Sequence, residues 1–261
     1  MFPTLTIGPL SIQTPGLILL IGLWVGLEFS ERHAPKFNAS PEKTVNLVLV
    51  GLLAGLVGAR LAYALQTPQA FAGRWLQLFS LSPFMLDLEG GLLAFLLAGI
   101  IYASRNGLTW RPTLDSLVSF FASIQVAVAL ANAASGDGFG TVTTLPWAIE
   151  LFGARRHPTQ FYDLAAGLVI LAAVWPGRPG LRWVPGEGGR FWCFMSLSAG
   201  TRLFLEAFRA DSWLLPGGIR GAQLVDWLVL ALSLVMIGRM RSRAAQSLLA
   251  AKEDGSQLFQ G

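Results

Sequence analysis

Seven long apolar runs, separated by short segments rich in Pro, Gly and charge, set the pattern of this chain. They fall at roughly 9–27, 46–65, 88–104, 114–133, 162–176, 191–208 and 222–239. A helix needs about 20 mostly apolar residues to cross a bilayer core of ~30 Å, so each run predicts a membrane span. The third and fifth are short, as for spans that begin in a cavity or at an interface. The breaks carry helix-stopping residues: Thr67-Pro68, Ser82-Pro83, Pro176 to Gly180, Pro185-Gly186 and Pro216-Gly217-Gly218. Residues 1–240 therefore read as one transmembrane domain with a small extracytoplasmic insert at 134–161. Residues 241–261 read as a polar cytoplasmic tail. Gly22-x-x-x-Gly26 and Gly51-x-x-x-Gly55 each place small residues on one helix face, where a neighbouring backbone can approach closely. There is no internal repeat, which argues against an inverted-repeat transporter.

Composition agrees with this pattern. The chain has 261 residues, 53% apolar and only 13% charged, against the ~25% charge usual in soluble domains. The expectation is an all-α polytopic membrane protein. Met1 to Leu27 holds no Lys or Arg, so the first run reads as a span and not as a secretory leader. The net charge of +4 then reports topology and lipid contact, not nucleic-acid binding; no basic and aromatic residues interleave as a nucleic-acid surface requires. Loops one, three and five and the tail hold twelve Lys and Arg, among them Arg105, Arg178, Arg182, Arg190 and Arg239. Loops two, four and six hold five: Arg74, Arg155, Arg156, Arg209 and Arg220. The bias places the N-terminus outside and the C-terminus in the cytoplasm.

In that topology the polar groups within or beside spans share one depth. Arg60, Glu89, Asn132, Asp137, Tyr162, Asp163, Arg202 and Glu206 all fall toward the outer side. A charge at mid-bilayer costs at least ~2.5–3.5 kcal/mol, so such groups normally face a bundle interior. The expectation is one wet cavity with Asn132 to Asp163 at its rim. Local readings compete at each position. Arg202 and Glu206 have the i,i+4 spacing of a helix-face pair, and Arg60 has the reach to snorkel to headgroups. Glu89 suits a helix N-terminus, Asp137 between glycines suits a turn, and His157 before Pro158 suits a loop. The lone Cys193 in an apolar setting reads as packing. Two His and one Cys give no metal spacing, there is no GxSxG, and no cofactor is implied. Arginines beside a carboxylate at this depth match a lipid phosphate.

These residues resemble the prolipoprotein diacylglyceryl transferase family over nearly the whole chain. Ile7 to Ile12 is similar to that family's N-terminal strand, and Gly55 to Tyr63, containing Arg60, to its second-span motif. Glu89-Gly90-Gly91 takes the place of its His-Gly-Gly, and Asn132 to Gly140 falls on its Gly- and Asn-containing signature. His157-Pro158-Thr159-Gln160-Phe161-Tyr162-Asp163 looks like its His-Pro-Ser-Gln-x-Tyr-Glu, and Arg202-x-x-x-Glu206-x-x-Arg209 like its sixth-span motif. The resemblance implies a bacterial cytoplasmic (inner) membrane enzyme with phosphatidylglycerol and a preprolipoprotein signal peptide as substrates. Glu89, Arg202 and Glu206 would be catalytic. Arg60, Asn132, Gly136, Asp137, His157, Gln160 and Tyr162 would bind substrate.

The chain departs from the family at several positions. The His before Gly-Gly is Glu89, the signature Arg is Ala129, the signature Glu is Asp137, and the Tyr one turn before the sixth-span Arg is Ser198; a first-span Tyr falls near Pro15. An active enzyme would then use Glu89 as base and Arg202, with Arg60, to balance the phosphate charge. The alternative is a catalytically degenerate relative serving as a lipid-binding or structural subunit among membrane-complex partners.

Overall fold

The computed structural model describes residues 4–7, 10–71, 85–177, 187–218 and 220–257. Ser82-Pro83, Pro179-Gly180, Pro185-Gly186 and the loop cations Arg74, Arg178 and Arg182 lie outside the described residues. Among the described residues, seven α-helices follow one another where the seven apolar runs lie: α1 Thr14–His33, α2 Pro41–Gln66, α3 Leu88–Arg105, α4 Trp110–Ser135, α5 Thr159–Ala173, α6 Gly189–Leu205 and α7 Gly221–Gln257. Five of these segments are long and apolar enough to cross a membrane. Leu92, Leu93, Leu96, Leu97, Ile100 and Ile101 of α3 are all at least half exposed, which a water-soluble monomer would not tolerate as one patch. The chain is a multi-pass helical membrane protein.

Where one N-terminal strand was expected, two form: β1 Thr4–Ile7 pairs antiparallel with β2 Leu10–Gln13. Each thus satisfies the other's backbone groups before α1 begins, with Pro15 in its first turn.

The helices alternate in direction, so the bundle has an Asn132 end and an Arg190 end. The helix α4 is central, with half of its most apolar window buried, and packs against α1, α5 and α6. Glycine makes the closest crossings. A Cβ at Gly22 would overlap Ala127, and one at Gly26 would press the backbone of Phe120 at 3.2 Å. Gly51, Gly55 and Gly58 do the same for α2 against Phe95, Gly91 and Ala94 of α3. The two small-residue stripes are thus helix contacts, as expected.

At the Arg190 end a buried polar network ties four helices. Arg190 was counted with the loop cations, but it lies in the first turn of α6 and is 7% exposed. It donates to the Val174 carbonyl at 2.6 Å, the Asp115 carbonyl at 2.6 Å and Ser119 Oγ at 2.8 Å, and lies over the Phe37 ring. The Asp115 carboxylate accepts the backbone N–H groups of Gly188 and Phe191, capping α6 from α4. Ser119 also meets His33 Nδ1 at 2.8 Å, and Ser30 Oγ donates to the Ser116 carbonyl. Cys193 is buried against Ile237, with Trp192 and Met240 around it, and is packing as expected.

Candidate active site

The Asn132 end is built by two loops zipped over the ends of α4, α5 and α6. The helix α4 stops at Gly136, whose φ of 95° needs the left-handed region that glycine adopts without strain; its N–H returns to the Asn132 carbonyl at 2.8 Å. The chain then crosses Arg209. A Cβ at Gly138 would sit 3.1 Å from Arg209 Nη2 and 3.4 Å from Asn132 Nδ2. Thr159 Oγ1, from the first turn of α5, donates to the Gly138 carbonyl at 2.6 Å. Backbone bonds from Ala210 N to the Phe139 carbonyl and from Thr141 N to the Phe208 carbonyl complete the seam. The insert continues into a hairpin, β3 Ile149–Leu151 with β4 Ala154–Arg156, and Arg156 lies over the Phe139 ring.

Beneath this seam a cavity of about 620 Å³ opens between α4, α5, α6 and α7. Its deeper wall is apolar, with Phe121, Ile124, Val128, Phe194 and Val229. Its polar residues include Asn132, Asp163, Arg202, Arg209 and Asp226, together with Gln125 and Ser198, where Ser198 Oγ donates to Gln125 Oε1 at 3.0 Å. Two arginines face two aspartates. Arg202 Nε lies 3.3 Å from Asp226 Oδ1. Its two Nη groups have no partner among the described residues, and its side chain is 61% exposed. Arg209 is held otherwise. It forms a two-point contact with Asp211 at 3.1 and 3.2 Å, and lies 3.6 Å from Asp163 and 3.8 Å from Glu206. Burial alone would lower the proton affinity of Arg209, but Asp211, Asp163 and Glu206 outweigh it and hold the guanidinium above its ordinary value.

The helix-face pair that the spacing of Arg202 and Glu206 allows is not formed. The helix α6 ends at Leu205, and Glu206–Phe208 tighten into a 3-10 turn. That change of phase moves the buried Glu206 carboxylate from the Arg202 face to Arg209, while the Glu206 carbonyl accepts from Arg220. The expectation of one pocket for all polar groups is also corrected. Arg60 does not snorkel; it is 8% exposed and donates to the Met85 carbonyl at 2.9 Å, bracing the end of α2 against the entry to α3. Glu89 is exposed in the first turn of α3, with Asp87 as its N-cap. Neither residue lines the cavity, because α2 and α3 pack chiefly on each other. Asp137 is exposed and takes a bond from Ser135 Oγ at 2.8 Å, the turn geometry its glycine neighbours suggest. Tyr162 accepts from Trp147 Nε1 at 2.8 Å and faces a shallower groove with Ala166, Thr201 and Phe204. His157 packs on Phe208 and Tyr162. Gln160 is fully buried, and neither of its amide atoms has a partner among the described residues. Of the expected residues, Asn132, Asp163 and Arg202 line the cavity, while Gly136 ends α4 and Glu206 holds Arg209, itself in the lining.

Asp226 is the site residue that the motif reading passed over. Its signal was present: it is the only charged residue between Gly221 and Gly238, a carboxylate alone in an apolar run. Ala129, at the position of the missing arginine, lines the same cavity.

Comparison with known proteins agrees with the motifs. Residues 3–239 match the family model described as prolipoprotein diacylglyceryl transferase. A protein of Synechococcus elongatus named phosphatidylglycerol–prolipoprotein diacylglyceryl transferase is 29% identical over 243 residues, covering 88% of this chain and 84% of the relative. Proteins of the same name from Gloeobacter violaceus, 28% identical over 92% of this chain and 95% of theirs, and from Clostridioides difficile, 25% identical over 85% and 88%, are similar along almost their full lengths. With the match running from before β1 into α7, the chain belongs to the prolipoprotein diacylglyceryl transferase family.

Proposed function

We propose that this protein moves the diacylglyceryl group of phosphatidylglycerol onto the lipobox Cys of a prolipoprotein, in the cavity between α4 and α7. All seven helices cross the cytoplasmic membrane of a bacterium in this reading. The Asn132 end faces outward, and the end of α7 lies in the cytoplasm. The observation that carries it is the amphipathic cavity itself. Cationic donors at Arg202 sit beside a deep apolar wall, the arrangement a phospholipid head and its first acyl carbons require.

Arg202 presents two unengaged Nη groups, a geometry suited to two phosphate oxygens at once. Asn132 Nδ2 adds a neutral donor near Arg209, whose carboxylate partners fix it as part of the wall. The Cys sulfur attacks C3 of the lipid glycerol, the bond from C3 to the phosphate oxygen breaks, and glycerol phosphate leaves with that electron pair. A thioether remains. Charge growing on the leaving phosphate falls opposite Arg202, where preorganised donors contribute most. Ala129 contributes no charge, so Arg202 carries this stabilisation without a second arginine from α4. Glu89 and Arg60 act from outside the cavity, on the α2 and α3 pair.

The test is transfer by purified protein in lipid nanodiscs, using phosphatidylglycerol labelled in its glycerol backbone and a lipobox peptide. A peptide mass gain of one diacylglyceryl group, and rescue of a transferase-depleted strain, are expected. Phosphatidylglycerol binding without transfer by a folded preparation would refute the reaction and identify a lipid-binding relative.

A further inference from the structure

The geometry points to Asp226 as the base that takes the thiol proton. This inference rests on the proposed transfer. The nucleophile of that reaction is a thiolate, and a thiol with an ordinary pKa of about 8.5 is mostly protonated at neutral pH. A proton acceptor is therefore needed inside the cavity. Glu89 is exposed on α3 and does not line it. Asp163, Glu206 and Asp211 all share Arg209. Asp226 differs from these. It lines the cavity, it is 5% exposed, and only Oδ1 has a partner, Arg202 Nε at 3.3 Å. Its Oδ2 has no hydrogen-bond partner among the described residues.

A buried carboxylate oxygen without a donor has lost its hydration with nothing in exchange. An arriving S–H group removes that deficit. The ion pair also orders the reaction. Arg202 is held through Nε by Asp226, which leaves its fork toward the phosphate. Acceptor and leaving-group cation thus sit on one guanidinium, with the reacting carbon free to lie between thiol and phosphate. In the step, the S–H bond breaks and its proton passes to Asp226 as sulfur bonds to C3. The C3–O bond breaks, glycerol phosphate takes the electron pair, and the proton leaves Asp226 to that phosphate or to water. No oxidant or further reactant is needed. The charged groups facing Asp226 are Arg202 and, farther off, Glu206 from the end of α6; Asp163 and Arg209 line the same cavity, and α4 brings only neutral Gln125 and Asn132.

The test measures kcat and KM for transfer from phosphatidylglycerol to a lipobox peptide between pH 6.5 and 9, for the wild type, Asp226→Asn and Asp226→Glu. A base contributes about 10²–10⁴-fold. Asp226→Asn should lose at least 10²-fold in kcat at pH 7, with KM for the lipid changed little. Its rate should then climb about tenfold per pH unit toward the thiol pKa, as bulk hydroxide supplies thiolate. The wild type and Asp226→Glu should stay flat in this range. A loss equal at every pH, or one carried by KM, would mean that Asp226 only positions Arg202, and would overturn the inference. If Asp226→Asn does not fold, the wild-type profile decides: a tenfold rise per unit would overturn it, a flat profile supports it. Absence of any transfer by the wild type is a separate result, and it removes the proposed reaction first.

Discussion

Replacing Arg202 by Gln separates what the cavity ion pair does for the fold from what it does for lipid. The pair joins a half-open guanidinium to a buried carboxylate at 3.3 Å. A pair with one exposed partner contributes at most about 1 kcal/mol. Its loss costs more, because Asp226 is then buried with no cation and its second oxygen is already unpartnered. Leaving such a group unsatisfied costs about 1–3 kcal/mol. For a chain of this size that lowers the unfolding midpoint by roughly 2–12 °C. Transfer falls further, by about 10²–10³, because Arg202 is the cavity cation with free donors. The double variant Arg202→Gln/Asp226→Asn removes the buried charge as well. It should unfold within about 1 kcal/mol of the wild type and still transfer nothing measurable. Thermal unfolding in detergent, read beside transfer in nanodiscs, separates the two. Recovery of transfer in the double variant, or an Arg202→Gln enzyme within threefold of the wild type, would refute the role given to Arg202.

Other outcomes follow from the Arg190 end and the helix crossings. Arg190→Met removes three donors from a buried site and leaves the Val174 and Asp115 carbonyls and Ser119 without them, so it should cost about 3 kcal/mol or more in detergent unfolding, far more than loss of a solvated loop cation. Gly22→Ala should destabilise by about 1–3 kcal/mol because its Cβ meets Ala127, and Ala127→Gly in the same chain should recover most of that, as read by unfolding midpoints of the cycle. Cys193 should resist a maleimide in the folded protein and react fully after denaturation, measured by mass, since it is 2% exposed against Ile237 and Trp192.

Sequence alone determined the class and the frame of this protein. Runs of about 20 apolar residues leave the backbone little choice in hydrocarbon, so all seven helices could be placed from hydropathy. The Gly22 and Gly51 stripes announced helix contacts, because only small residues permit backbones that close. The motifs at Asn132, His157 and Arg202 carried the family. What the sequence left open is which polar groups share a cavity. Depth along a helix can be counted from the chain, but the direction each side chain faces depends on which helices pack together. Arg60 and Glu89 have the right depth and lie on the α2 and α3 pair, away from the cavity. Glu206 has the right spacing for Arg202, yet a 3-10 turn at the end of α6 rotates it to Arg209. Asp226, isolated in an apolar run 24 positions beyond Arg202, becomes that arginine's partner only because α7 packs antiparallel to α6. Spacing within one helix is local geometry, whereas a pair between helices is decided by how the bundle closes.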